Sequence, residues 1–158
     1  MNLVDIFNEI GEDLVKEVVK NLIKEDKSAT GTLVKSIDYR LIVVEAQRLV
    51  RELKIELLGA DYLQWVDKGR KKGSKMPPPS KLDKWIVARK IAPKDKKGRF
   101  LPRKSVQFLI ARAISKNGIK PTNVIQKSVD AVLRQNRKKL EEAAVEEFNN
   151  IITNIFEK

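Results

Sequence analysis

The chain has 158 residues with a formal charge of +12, 33 Lys or Arg against 21 Asp or Glu, and neither cysteine nor histidine. That length predicts a single domain, 1–158, able to bury about two thirds of its unfolded surface without a disulfide or metal. The missing residue types exclude disulfides, thiolate nucleophiles, the common zinc sites and the usual neutral-pH general base.

Residues 3–25 read as an amphipathic helix. Leu3, Ile6, Phe7, Ile10, Leu14, Val18 and Leu22 recur at steps of three and four, opposite a face of Lys16, Lys20, Lys24, Glu9, Glu12 and Asp13. Residues 28–32 read as a turn, with a short helical piece around Leu33–Ser36. From 37 to 58 the period changes to two. Ile37, Tyr39, Leu41 and Val43 alternate with polar neighbours, as do Leu53, Ile55 and Leu57, which predicts two antiparallel strands reversing near Ala46–Leu49. Residues 60–67 read as a short helix closed by Gly69, completing a first part, 1–66, of helix plus hairpin.

The next part, 67–104, holds the whole charge excess. It has 15 basic and 3 acidic side chains, net +12, whereas 1–66 carries 9 and 12 and 105–158 carries 9 and 6. A segment so charged belongs on a solvated surface or against something negative. It reads as a basic loop over 70–80 ending in a stiff Pro77-Pro78-Pro79 run, a helix over 80–90 with Ser80 as N-cap, and a second basic loop over 93–104. A helix over 104–117 follows, with Val106, Leu109, Ile110, Ala113 and Ile114 inward and Gly118 as its cap. The last helix starts after Pro121-Thr122 and continues toward residue 157. Its apolar positions are Ile125, Val129, Val132, Leu133, Leu140, Ala144, Phe148, Ile151 and Ile155, with Asn136 on the seam as a bend or register device. At about 50 Å it is longer than a domain of this size is wide, so it either breaks or pairs with the N-terminal helix and projects. The fold class expected is α+β: a small antiparallel sheet, hairpin-based, flanked by N- and C-terminal amphipathic helices, with an inserted segment of helix and basic loop.

Two chemistries compete with a plain structural role. Lys68, Arg70, Lys71, Lys72, Lys75, Lys94, Lys96, Lys97, Arg99, Arg103 and Lys104 could meet phosphates, or an acidic partner, without reading sequence. Asp38 on one strand and Glu52-Leu53-Lys54 on the next resemble a magnesium-dependent nuclease set, in which two carboxylates hold the ion and the lysine polarises water. Half-exposed amphipathic strands also contain Glu-x-Lys, and Ile37 stands where that pattern expects proline. No phosphate-binding glycine motif is present, no cofactor or metal is expected, and no stretch approaches membrane-spanning length.

Ser-Ala-Thr-Gly-Thr-Leu-Val-Lys-Ser-Ile (28–37) leads into the first strand, and Tyr62-Leu63-Gln64-Trp65-Val66-Asp67-Lys68-Gly69-Arg70 follows the hairpin. Lys75-Met76-Pro77-Pro78, Trp85-Ile86 and Phe108-Leu109-Ile110-Ala111-Arg112 come after them. The order of these short motifs resembles the tail-completion and head–tail joining (neck) proteins of tailed bacteriophages, in a version with an inserted helical pair. Where the family has Pro-Phe-Leu this chain has Pro121-Thr122-Asn123-Val124-Ile125, which leaves a third strand without support. The resemblance implies a non-enzymatic virion protein that forms a hexameric or dodecameric ring around the DNA channel. It would meet portal, adaptor or tail-tube neighbours after assembly in the bacterial cytoplasm. Tyr62, Trp65, Pro77, Pro78 and Trp85 are the expected subunit-interface residues.

Overall fold

The computed structural model describes residues 2–27, 31–46 and 49–156. The chain divides into two compact units. The first is Met1–Asn21, Ser36–Gly59 and Val124–Lys158, and the second is Leu22–Lys35 and Ala60–Asn123. The second unit contains the predicted insertion between hairpin and last helix.

In the first unit, helix α1 (Leu3–Lys24) buries Ile6, Ile10, Leu14 and Val18, the stripe its spacing predicted. It packs antiparallel to α6 (Val124–Phe156). Asn21 Nδ2 donates to Ser128 Oγ at 2.9 Å, Asn136 Nδ2 lies 3.5 Å from Asp13 Oδ2, and Lys139 pairs with Glu9. By this register, Leu3 stands opposite residue 146. Helix α6 is unbroken, and Asn136, 2% exposed, also donates to the Val132 carbonyl at 3.1 Å. It is therefore a buried polar link between two helices and not a bend.

Strands β1 (Asp38–Ala46) and β2 (Leu49–Leu58) form the two-stranded antiparallel sheet, with a register shift between Val44 and Glu45. The tip, 47–48, lies outside the described residues, as do residues 28–30 of the predicted turn and 157–158 at the end of the last helix. One face carries Tyr39, Leu41, Leu53 and Ile55, and Ile55 packs on the cluster of Ile6, Ile10, Val132 and Ala143. The other carries Arg40, Glu52, Lys54 and Glu56. Gly11 of α1 makes the close approach possible, because a Cβ there would enter the Tyr39 ring.

The second unit begins at the end of α1. Asp26 (φ 52°) turns the chain left-handed while its N–H donates to Ile23 O and that of Lys27 to Leu22 O, closing the helix. Helices α2 (Thr32–Lys35), α3 (Leu63–Lys68), α4 (Asp83–Ala88) and α5 (Arg103–Asn117) follow, with Leu22, Leu33, Leu63, Ile86, Val106 and Ala111 buried.

Three sequence expectations fail in detail. Ser80 caps nothing: Pro79 fixes a helical φ and starts a 3₁₀ turn, Pro79–Leu82, so Ser80 lies inside that turn and not at the head of α4. On α5 the buried positions are Val106 and Ala111, while Leu109 is 50% exposed and Ala113 is also on the surface. Gln107 Nε2 reaches Asp83 Oδ1 at 2.6 Å, so α4 lies along the Gln107–Ala111 edge and turns Leu109 outward. On α6 the buried row is Val124, Ser128, Val132, Asn136 and Ala143, whereas Leu133, Ala144 and Phe148 are exposed. The i, i+4 row is the one that meets α1, Ser128 through Asn21, Val132 in the cluster with Ile6 and Ile10, and Asn136 beside Asp13.

Candidate nucleic-acid and assembly interface

Charge divides between the units more sharply than along the chain. The second unit has 21 basic and 6 acidic side chains, net +15; the first has 12 and 15, net −3. All eleven cations singled out from the sequence fall in the second unit, on two loops whose backbone is held in place and on the helix ends that border them, Lys68 of α3 and Arg103 and Lys104 of α5.

The first loop joins α3 to the 3₁₀ turn. Gly69 (φ 69°) and Gly118 (φ 74°), which end α3 and α5, bring two backbones together. Arg70 N–H donates to Ile119 O and Ile119 N–H to Arg70 O, both at 2.9 Å. A Cβ on Gly69 would come within 2.7 Å of Pro121 N, and one on Gly118 within 2.9 Å of Lys72 N. Gly73 N–H donates to Ser115 O at 2.8 Å, and Ser115 Oγ donates to Ser74 O at 2.6 Å. At α3's open end, Thr122 Oγ1 donates to Val66 O at 2.8 Å, and the N–H groups of Thr122 and Asn123 donate to Asp67 O. Arg70 is committed here. Its guanidinium lies 5.2 Å from the Trp65 ring centroid, its Nε donates to Ser74 Oγ at 3.0 Å, and it also reaches Lys75 O. Lys68, Lys71, Lys72 and Lys75 stay on the surface. Hydrogen bonding thus fixes the backbone of this basic loop.

The second loop is a tight turn built on Asp95. Its Oδ1 accepts N–H bonds from Lys97 (2.8 Å) and Arg99 (2.9 Å), and its Oδ2 accepts Arg99 Nε at 3.1 Å. The Arg99 N–H bond, foremost among these, holds the Asp95 carboxyl below the ordinary aspartate range. Lys94 lies 4.8 Å from the Phe100 ring centroid, and Lys96 and Lys97 project from the turn. Arg103 lies 3.7 Å from Asp83, and Lys104 is exposed.

Among the expected interface residues, Tyr62 (40% exposed) and Trp85 (39%) come together with Val66 and Ile91 around one hollow. Arg89 forms its wall, donating to Asp26 Oδ2 at 2.5 Å and to the Asp26 carbonyl. That hydrogen bond holds the Asp26 carboxyl below its ordinary range. Trp65, also on the surface, is set apart by its stack with Arg70, and Pro77 and Pro78 line the end of the first loop. Neither tryptophan is a core residue. Sequence reasoning missed the Arg89–Asp26 clamp and the Ser74, Ser115 and Thr122 hydrogen bonds; Gly69 and Gly118 flanking the loops were the available signal.

The nuclease constellation does not assemble. Asp38 pairs with Leu58 and Glu52 with Val44, so the two carboxylates share a face but stand six residues apart, about 20 Å along the strand. One ion cannot bridge that span. Lys54 Nζ is bound to Glu56 Oε1 at 2.8 Å, which raises the lysine pKa and lowers that of Glu56.

Comparisons with protein-family models, with curated proteins and with solved structures return no match to this chain. Among the described residues, no helix is long and apolar enough to cross a membrane.

Proposed function

We propose that the chain is a structural virion protein of a tailed phage, a head–tail joining or tail-completion subunit that forms a ring around the DNA channel. The observation that carries this reading is the charge division, +15 on one unit against −3 on the other. A ring that repeats such a subunit repeats a cationic surface at every step, suited to a polyanion in its lumen or an acidic neighbouring protein. The cations sit on hydrogen-bonded loops, so little ordering entropy is lost when they engage. Supporting it, α6 outruns its partner. With Leu3 opposite residue 146, about ten residues, or roughly 15 Å, extend past α1, and Phe148 (62%) and Ile152 (37%) are exposed there, with Val145 (60%) exposed just before them. Apolar side chains in such a place suit an assembling subunit.

Negative-stain electron microscopy of the purified protein tests this reading. Annular particles with a central opening are expected, and a field of single subunits or irregular aggregates overturns it.

The +15 unit also favours a second reading, a sequence-independent nucleic-acid-binding protein that works outside a virion. It predicts duplex binding by a monomer or dimer, with affinity falling steeply as salt rises.

A further inference from the structure

The C-terminal half of α6 and the basic unit are chemical complements. From Leu140 to Phe156 the helix contains Glu141, Glu142, Glu146 and Glu147 and no Lys or Arg. Glu141 and Glu142, which pair at the surface with Arg137 and Lys138 one turn back, stand one turn ahead of the exposed row Val145, Phe148 and Ile152, which recurs at steps of three and four and so forms one apolar stripe with an acidic border. In the second unit, Ile86, Val87, Ile91, Leu101 and Val106 line a shallow hollow of about 350 Å³ whose charged rim is Lys90 and Arg103. Ile86 and Val106 are buried and form its floor, while Val87 is 51% exposed. The volume lies at the lower end of sites that accept ligands, room for an aromatic side chain with an aliphatic neighbour. Arg103 touches Asp83 with one nitrogen at 3.7 Å, leaving other donors of its guanidinium to engage a second carboxylate.

We infer that the acidic, apolar end of α6 in one copy docks on the Lys90–Arg103 hollow of the next copy, with Phe148 as its anchor. The inference rests on the proposed ring and names the surfaces that build it. The contact joins two different surfaces, so it is head-to-tail and propagates until it closes, as a ring requires. The hollow takes Arg103 from the candidate cations, whereas no lysine of the two loops lines it, so those lysines stay available for the channel or a neighbouring protein.

A charge-swap experiment tests it, read by native mass spectrometry and sedimentation velocity. Glu141→Lys with Glu142→Lys and Glu146→Lys turns the helix end from −4 to +2, and Lys90→Glu with Arg103→Glu reverses the hollow. All five side chains are exposed, so thermal melts of the variants should follow the wild type. Each variant alone sets like charges against each other and should weaken association about a hundredfold or more. Mixed one to one, the basic helix meets the acidic hollow and the acidic helix meets the basic hollow, so an alternating multimer of wild-type size should return. Phe148→Ala alone should weaken association about tenfold or more, as loss of an aromatic anchor does. Wild-type multimers with variants that remain assembled, or a mixture that stays monomeric, overturn the docking mode and leave the ring standing. A wild-type chain that never associates overturns both.

Discussion

Replacing Gly118 by alanine tests whether the first basic loop is held by its backbone. The residue has φ 74° and ψ −171°, a region open almost solely to glycine, and alanine there costs about 1–3 kcal/mol. The added Cβ would also stand 2.9 Å from Lys72 N and closer still to the Arg70 carbonyl. Both obstacles are backbone atoms and cannot rotate away. The Arg70–Ile119 pair must open, losing two hydrogen bonds worth about 1 kcal/mol each. The expected loss is thus about 3–5 kcal/mol. Gly73→Ala is the control. Its φ is also positive, at 78°, but nothing lies within 4 Å of the new Cβ, so only the conformational cost of about 1–2 kcal/mol applies. Urea denaturation gives both values, and hydrogen exchange should show the Arg70 and Ile119 amides losing protection in Gly118→Ala alone. If Gly118→Ala is no worse than Gly73→Ala, or both amides keep their protection, the clip does not fix the loop.

Other expectations follow from the same geometry. Gly11→Ala gains about 1 kcal/mol of helix propensity but drives the Tyr39 ring from its seat, so it should destabilise the wild type and stabilise a Tyr39→Ala background; the same sign in both denies the contact. Thr122→Val removes the buried donor to Val66 O and should cost about 1 kcal/mol or more in chemical denaturation, and a neutral result would mean that bond contributes nothing. The Asp26 carboxyl is held below its ordinary pKa by Arg89, so its contribution is present above that ordinary value and lost as pH falls through the lower folded value. The stability gap between wild type and Asp26→Asn should therefore be full at neutral pH and close below about pH 4; a gap unchanged in strong acid refutes the clamp.

How much could be read from residues alone depended on whether the signal was local. The α1 stripe and the two-residue alternation of the hairpin were readable because each repeats through a whole element, and burial follows directly from the repeat. The ends of α3 and α5 were readable too, since glycine at 69 and 118 marks a chain reversal. What failed was the choice between overlapping apolar rows. On α6 both the Val132–Asn136 row and the Leu133–Phe148 positions keep helical spacing, and only the contacts with α1 decide which is buried. On α5, Leu109 and Ala111 exchanged roles because Asp83 binds Gln107 from another element. The cations of the candidate surface were found by counting, but counting could not separate Arg70, locked over Trp65, from Lys71 and Lys72 beside it. That distinction depends on the contacts the Arg70 side chain makes with Trp65, Ser74 and Lys75, which only the folded loop brings together.

The central claim is that this chain works by associating with itself through surfaces of opposite charge. Native mass spectrometry of the purified protein across a range of ionic strength addresses it most directly. One discrete multimer at low salt, dissociating to single chains as salt screens the contact, is the predicted result. A monomer at every salt concentration, or association that salt leaves untouched, would contradict it.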